Sequence, residues 1–165
     1  MNTSRLLGTR PARTAAATFA ALALSLAAAG TAGAAGTGTT GTVYSYALKN
    51  HNTGRCVDDS WGAGLRAFAC NGLNYQNFNF YKQADGTWVL QNQNTGRCVD
   101  DSGAAGLRAF GCNYLDFQKW RLTYPSGGGA VYQNVNTGRC IDDSVGVGLR
   151  AFACNGLNYQ TFDFV

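Results

Sequence analysis

At 165 residues the chain has the length of one domain, since domains commonly run to roughly 100–200 residues, and a two-domain reading starts at a disadvantage. Charged side chains make up 13% of it, about half the usual ~25%, and it holds 22 glycines, a pairing that fits a turn-rich β protein better than a helical one. The formal charge of +4 suits an anionic partner such as nucleic acid, but Arg5, Arg10 and Arg13 stand ahead of a long alanine-rich stretch, so a leader has to be set aside first.

Residues 1–35 read as a secretory signal peptide: three arginines, an apolar run from Ala15 to Ala29 broken only by Thr18 and Ser25, then Ala32-Gly33-Ala34 as a small-residue cleavage site. A run of this length is too short for a membrane span, which needs ~20 residues. No two of the arginines are adjacent, so general secretion is expected rather than the twin-arginine route. Cleavage leaves ten Lys and Arg against nine Asp and no Glu, a net charge of +1, and the basic-protein reading goes with the leader. The expectation is a secreted, extracellular protein with no nucleic-acid partner and no membrane insertion.

All six cysteines lie in the exported part, where disulfides form and persist. Cys56 and Cys70, Cys98 and Cys112, and Cys140 and Cys154 share one spacing of fourteen. Equivalent positions recur every 42 residues, as in Gln76, Gln118 and Gln160, so residues 36–165 form one domain with repeats at about 40–81, 82–123 and 124–165. No room is left for a separate catalytic domain. Asn50–Phe78 matches Asn134–Phe162 at 24 of 29 positions and Asn92–Trp120 at 20 of 29, so the middle repeat is the divergent one. Six cysteines allow fifteen pairings, and only three of those treat the repeats alike. Bonding within each unit closes the shortest loops and is the expected set.

Within a unit, Asn52-Thr53-Gly54-Arg55 is a tight-turn signal ahead of a short strand containing Cys56-Val57-Asp58. A second turn, Gly62-Ala63-Gly64, leads into Leu65 to Cys70, where alternation places Leu65, Ala67 and Ala69 on one face and Arg66, Phe68 and Cys70 on the other. Asp85-Gly86 followed by Thr87 to Leu90 opens the second unit as another turn and strand. No stretch keeps a helical period, so each unit is about four short strands, all-β. Three units are fewer than the four to eight blades of a propeller. A closed threefold barrel is expected instead, because closure removes exposed strand edges. Phe78, Trp120 and Phe162 fill one equivalent core position each.

The unit Gly-Arg-Cys-Val/Ile-Asp-Asp, the Leu-Arg-Ala-Phe-x-Cys strand and the closing Gln76-Asn77-Phe78, Gln118-Lys119-Trp120 and Gln160-Thr161-Phe162 resemble the repeat of the ricin B-type lectin family. The Asn-x-x-Thr-Gly-Arg opening and the Cys-Asn-Gly-x-Asn-Tyr-Gln segment are most similar to actinohivin-like three-repeat lectins, which are directed at high-mannose glycans. The resemblance covers all three repeats. It implies a β-trefoil, a barrel capped by three hairpins, with one shallow sugar pocket per unit. Residue by residue, the family's carboxylate falls on Asp58, Asp100 and Asp142. Asp59, Asp101 and Asp143 alternate to the other face and are expected to bond to turn backbone.

Sugar recognition in water also demands such a set on its own chemistry: a carboxylate for paired hydroxyls, an apolar ring for the C–H face, and amides for the rest. Asp58, Phe68, Asn71, Tyr75 and Gln76 supply it in the first unit, and Asp142, Phe152, Asn155, Tyr159 and Gln160 in the third. The middle unit offers Asp100, Phe110, Asn113 and Gln118, with Asp116 and Phe117 in place of Asn74 and Tyr75, and is expected to be the weaker site. Arg66, Arg108 and Arg150 depart from the family pattern. Beside the pocket they suit an acidic sugar or a phosphate-bearing cell-wall polymer, or else they pair with the adjacent aspartates.

The remaining features carry less. His51 has no repeat equivalent, and Trp61 is expected to be packing or an incidental surface ring. Adjacent aspartates do not make a calcium cage, and the cysteine spacing is wrong for zinc, so neither metal nor cofactor is expected. With a single unrepeated His and no Glu in the exported part, catalysis is not expected either. The reading is a monomeric, non-enzymatic lectin for glycans or cell-wall polysaccharide that acts by avidity through up to three sites. The alternative is a secreted inhibitor or protein-binding trefoil with degenerate sugar sites, using the distinctive loop Tyr124-Pro125-Ser126-Gly127-Gly128-Gly129.

Overall fold

The structure of the protein is a computed structural model that describes residues 43–165; the expected signal peptide, 1–35, lies outside the described residues. Each unit contributes four strands. The first holds β1 (Val43–Asn50), β2 (Cys56–Ser60), β3 (Gly64–Phe68) and β4 (Asn77–Lys82). The second holds β5 (Trp88–Asn92), β6 (Cys98–Asp101), β7 (Leu107–Phe110) and β8 (Trp120–Thr123), and the third β9 (Ala130–Asn134), β10 (Arg139–Ser144), β11 (Gly148–Ala153) and β12 (Thr161–Phe164). Three 3-10 turns, at Gly103–Ala105, Asp116–Gln118 and Asn158–Gln160, complete the described elements.

Six strands close a barrel, all pairs antiparallel: β1 pairs β4, β4 pairs β5, β5 pairs β8, β8 pairs β9, β9 pairs β12 and β12 returns to β1. The hairpins β2–β3, β6–β7 and β10–β11 cap one end. This is the closed threefold barrel expected from the repeats, and the β-trefoil that the family resemblance implies. Short strands of four to eight residues hold here because closure leaves the barrel no free edge.

The core is built in threefold layers. Phe78, Trp120 and Phe162 form one, and Val57, Val99 and Ile141 another, all essentially inaccessible. Trp120 keeps its indole N–H satisfied by donating to the Val99 carbonyl at 3.1 Å. Leu65, Leu107 and Leu149 pack from the hairpins onto this core, as strand alternation predicts.

The three disulfides are within units, Cys56–Cys70, Cys98–Cys112 and Cys140–Cys154. Each closes a short loop, worth about 3 kcal/mol on the chain-entropy account. Replacing Cys98 and Cys112 together by serine should therefore lower the unfolding free energy by about 3 kcal/mol, measured by urea denaturation with the other two bonds oxidised.

Asp59, Asp101 and Asp143 do not bond to turn backbone. Asp59 accepts from the guanidinium of Arg97, with Nε at 3.2 Å, and from the Thr95 hydroxyl, both in the next unit. Asp101 holds Arg139 and Thr137 in the same way, and Asp143 returns to Arg55 and Thr53 of the first unit. The alternation that turns these aspartates away from Asp58 points them into the junction between units. There a wholly buried carboxylate needs a charged, hydrogen-bonding partner rather than a turn amide. Three links thus close a ring around the trefoil, in a chain of low charge content.

The asparagines that open each motif complete the junctions. Asn50 accepts from the backbone N–H groups of Asn52 and Thr53 at 3.0 Å each and donates to the Tyr159 carbonyl at 2.8 Å. Asn92 and Asn134 repeat this with the carbonyls of Tyr75 and Phe117. The tight turn that follows needs a left-handed residue, supplied by Gly54, Gly96 and Gly138 at φ of 67–68°. His51 bonds Asp163 at 2.6 Å and belongs to no repeated site.

Candidate functional site

Each cap hairpin brings its candidate residues together through register alone. Asp58 lies opposite Arg66 and Cys56 opposite Phe68, so Arg66 and Phe68 share one face of β3 two residues apart. Arg66 Nε donates to Asp58 Oδ1 at 3.0 Å, and its guanidinium carbon sits 4.3 Å from the centre of the Phe68 ring. Arg108 with Asp100 and Phe110 (3.1 and 4.3 Å) and Arg150 with Asp142 and Phe152 (3.0 and 4.0 Å) repeat the arrangement.

Gln76 locks the second carboxylate oxygen. Its Nε2 donates to Asp58 Oδ2 at 3.3 Å and to the Ala69 carbonyl at 2.9 Å, while its Oε1 accepts from the Asn71 N–H at 2.8 Å. Gln118 and Gln160 make the same three bonds in their units. These glutamines are buried and bind the loop to the carboxylate, so they support the site from beneath. Asn71 turns its Oδ1 to the Leu73 N–H at 3.0 Å, as Asn113 does to Leu115 and Asn155 to Leu157, which leaves the amide nitrogens facing outward.

The aspartate side chains are only 3% exposed, with both oxygens engaged. What meets solvent is part of each arginine side chain, the aromatic ring against it (43, 46 and 41% exposed in the three units), the exposed Asn and the exposed Tyr75. The third unit adds a bond from Arg150 to the Ser144 hydroxyl at 3.3 Å. In the middle unit Asp116 pairs with Lys119 at 3.1 Å. Of the two roles weighed for the arginine, the structure shows the pairing with aspartate: Nε serves the carboxylate, and the partly exposed guanidinium lies against an aromatic ring. Chemically the surface offers donors, a π face and amides, with the carboxylate reachable only if the arginine swings aside.

Sequence reasoning missed Thr53, Thr95 and Thr137 and the roles of Arg55, Arg97 and Arg139. Their recurrence in all three units was the available signal, but it was absorbed into the turn that carries them. Trp61 is a surface ring, 69% exposed, with the Arg97 guanidinium 4.8 Å from its centre.

The model of the ricin-type β-trefoil lectin domain-like family matches residues 23–111, more than half of the chain, and the chain belongs to that family. The structure is similar to the designed threefold symmetric protein ThreeFoil, with a TM-score of 0.66 at 19% identity over 73% of this chain and 97% of that one. It is similar as well to SeviL, in a structure described as bound to asialo-GM1 saccharide, with a TM-score of 0.63 at 13% identity over 75% of this chain and 98% of that one. A third likeness is to the hemolytic lectin CEL-III, with a TM-score of 0.64 at 23% identity over 74% of this chain but only 30% of the larger protein. At these identities the three likenesses concern the fold. No curated protein matches the chain.

Proposed function

We propose that the protein is a secreted, non-enzymatic lectin, with residues 1–35 removed as a leader and residues 36–165 forming one trefoil with a carbohydrate site on each hairpin. The observation that carries this reading is the threefold recurrence of the aspartate-held arginine stacked on an exposed ring, beside an outward amide, in a chain of a lectin-domain family. That a similarly folded protein, SeviL, is described with a bound saccharide supports it. Tyr75 and Tyr159 complete the sites of the first and third units; Phe117 lacks a hydroxyl and makes the middle site the weakest. The actinohivin-like motifs favour glycans of the high-mannose kind, whereas the outward guanidinium favours acidic sugars, and both classes are covered by the same assay.

Shallow single sites bind weakly, and engagement of several at once adds roughly 10²–10⁴ in avidity. A glycan array probed with the intact protein should show binding to at least one neutral or acidic glycan at high density, falling away as the spots are diluted. A folded protein that binds none overturns the reading, and release of reducing sugar from a bound glycan overturns its non-enzymatic part.

A further inference from the structure

The barrel end opposite the hairpins holds a cavity of about 440 Å³. It lies at the N-terminal end of β1 and β5 and the C-terminal end of β4, β8 and β12, whereas the hairpins follow the other ends of β1, β5 and β9. Tyr44, Tyr46, Phe80, Trp88, Tyr124 and Phe164 supply aromatic walls, with Leu122 and Lys82 completing the lining. The volume is within the ordinary range for small-ligand sites, which favour barrel mouths and mostly apolar walls with a few polar groups.

The cavity breaks the threefold symmetry. Tyr46 and Trp88 have Ala130 as their equivalent in the third unit, and Tyr44 has Gly86 and Gly128. At these positions the first two units bring large rings to the mouth and the third brings none. The rings pack in tilted and edge-on pairs: Tyr46 on Phe164 at 5.0 Å, Tyr46 on Phe80 at 6.0 Å, Tyr44 on Trp88 at 6.1 Å and Phe80 on Trp88 at 6.4 Å. A further planar ring at this spacing continues the same pattern. The loop Tyr124 to Gly129, distinctive in the sequence, borders the mouth through Tyr124.

Charge selects the ligand further. Lys82 is exposed, sits 5.8 Å from the Trp88 ring centre and makes no ion pair among the described residues. No acidic residue lines the cavity, and Asp85, in the turn ahead of Trp88, is engaged by Thr87 and Lys119. One uncompensated ammonium beside tyrosine hydroxyls matches a monoanion. We propose that this cavity is a binding site for a small aromatic carboxylate, its ring among Tyr46, Trp88 and Phe164 and its carboxylate at Lys82. The site is separate from the hairpin surfaces and does not depend on the lectin reading.

The test titrates the intact protein with 1-naphthoate and, separately, with the neutral 1-naphthylmethanol, following tryptophan fluorescence and calorimetry. Saturation at one naphthoate per chain is expected, with the neutral compound weaker. Lys82→Glu should weaken naphthoate by roughly tenfold or more and leave the neutral compound unchanged. Tyr124→Ala should weaken both; both residues are exposed, so the fold is retained. No saturation, three equivalents per chain, or a naphthoate affinity indifferent to Lys82→Glu overturns the proposal. So does binding that appears only once residues 36–42 are removed, which assigns the cavity to the chain's own N-terminal segment.

Discussion

Arg97→Ala is expected to cost about 3–5 kcal/mol of unfolding free energy, the range for removing one partner of a buried ion pair. The truncation strands the Asp59 carboxylate, which has no exposed surface, with only the Thr95 hydroxyl as a side-chain partner. Against the 5–15 kcal/mol that holds a typical domain together, this is a large fraction of the whole. Arg97 is also the most sheltered of the three linking arginines, its side chain 20% exposed against 32% for Arg139 and 35% for Arg55, and it alone lies against Trp61. The cost should therefore fall in the order Arg97, Arg139, Arg55. Lysine at position 97 should rescue little, because a single ammonium cannot reproduce the forked pairing with both carboxylate oxygens. Urea denaturation with the disulfides oxidised measures all four variants. Costs below about 1 kcal/mol, as for a surface pair, would show that the ring of links contributes little.

These links also mark where the sequence stops being legible. The 42-residue period and the four strands per unit follow from local spacing, the closed barrel from the need to leave no strand edge, and the disulfides from the shortest of three symmetric pairings; each is present in the fold. Asp58 and Arg66 are eight residues apart on one hairpin, so their pairing was foreseeable as one of two options. Asp59 meets Arg97 across 38 residues, in another unit. Strand alternation tells which way Asp59 points but not what waits there, and the tight turn at Thr-Gly-Arg hid the function of its own side chains. The conformational need of Gly54 and the bonding need of Arg55 coexist in adjacent positions, and only the first has a local signature.

The barrel-mouth cavity was hidden for the opposite reason. Reading three repeats as one consensus unit emphasises what they share. The cavity is walled by what they do not share: Tyr46 and Trp88 line it, and their third equivalent is Ala130. Likewise, charged residues are scarce, yet six of the nine aspartates are buried in pairs with arginine. A low count of charges says nothing of how completely each is used.

Phe68→Ala combined with Phe152→Ala is expected to lower binding to a dense glycan surface by roughly 10²–10⁴, since only the middle site remains and multivalent engagement is lost. Both rings are over 40% exposed, so the melting temperature should change little. Asp58→Ala with Asp142→Ala should abolish binding too, but with a loss of stability, because Arg66 and Gln76 both lose their acceptor. That loss should be smaller than at the links between units, since Arg66 is 41% exposed and water takes over part of its solvation. Surface plasmon resonance at high and low ligand density, paired with thermal unfolding, separates the two double variants. Unchanged avidity in both would move the sites away from the hairpins. Arg66→Ala with Arg150→Ala then decides which group faces the sugar. If the guanidinium binds ligand, every glycan that bound is lost. If it only covers the carboxylate, its removal uncovers Asp58 and Asp142, and binding of neutral sugars rises.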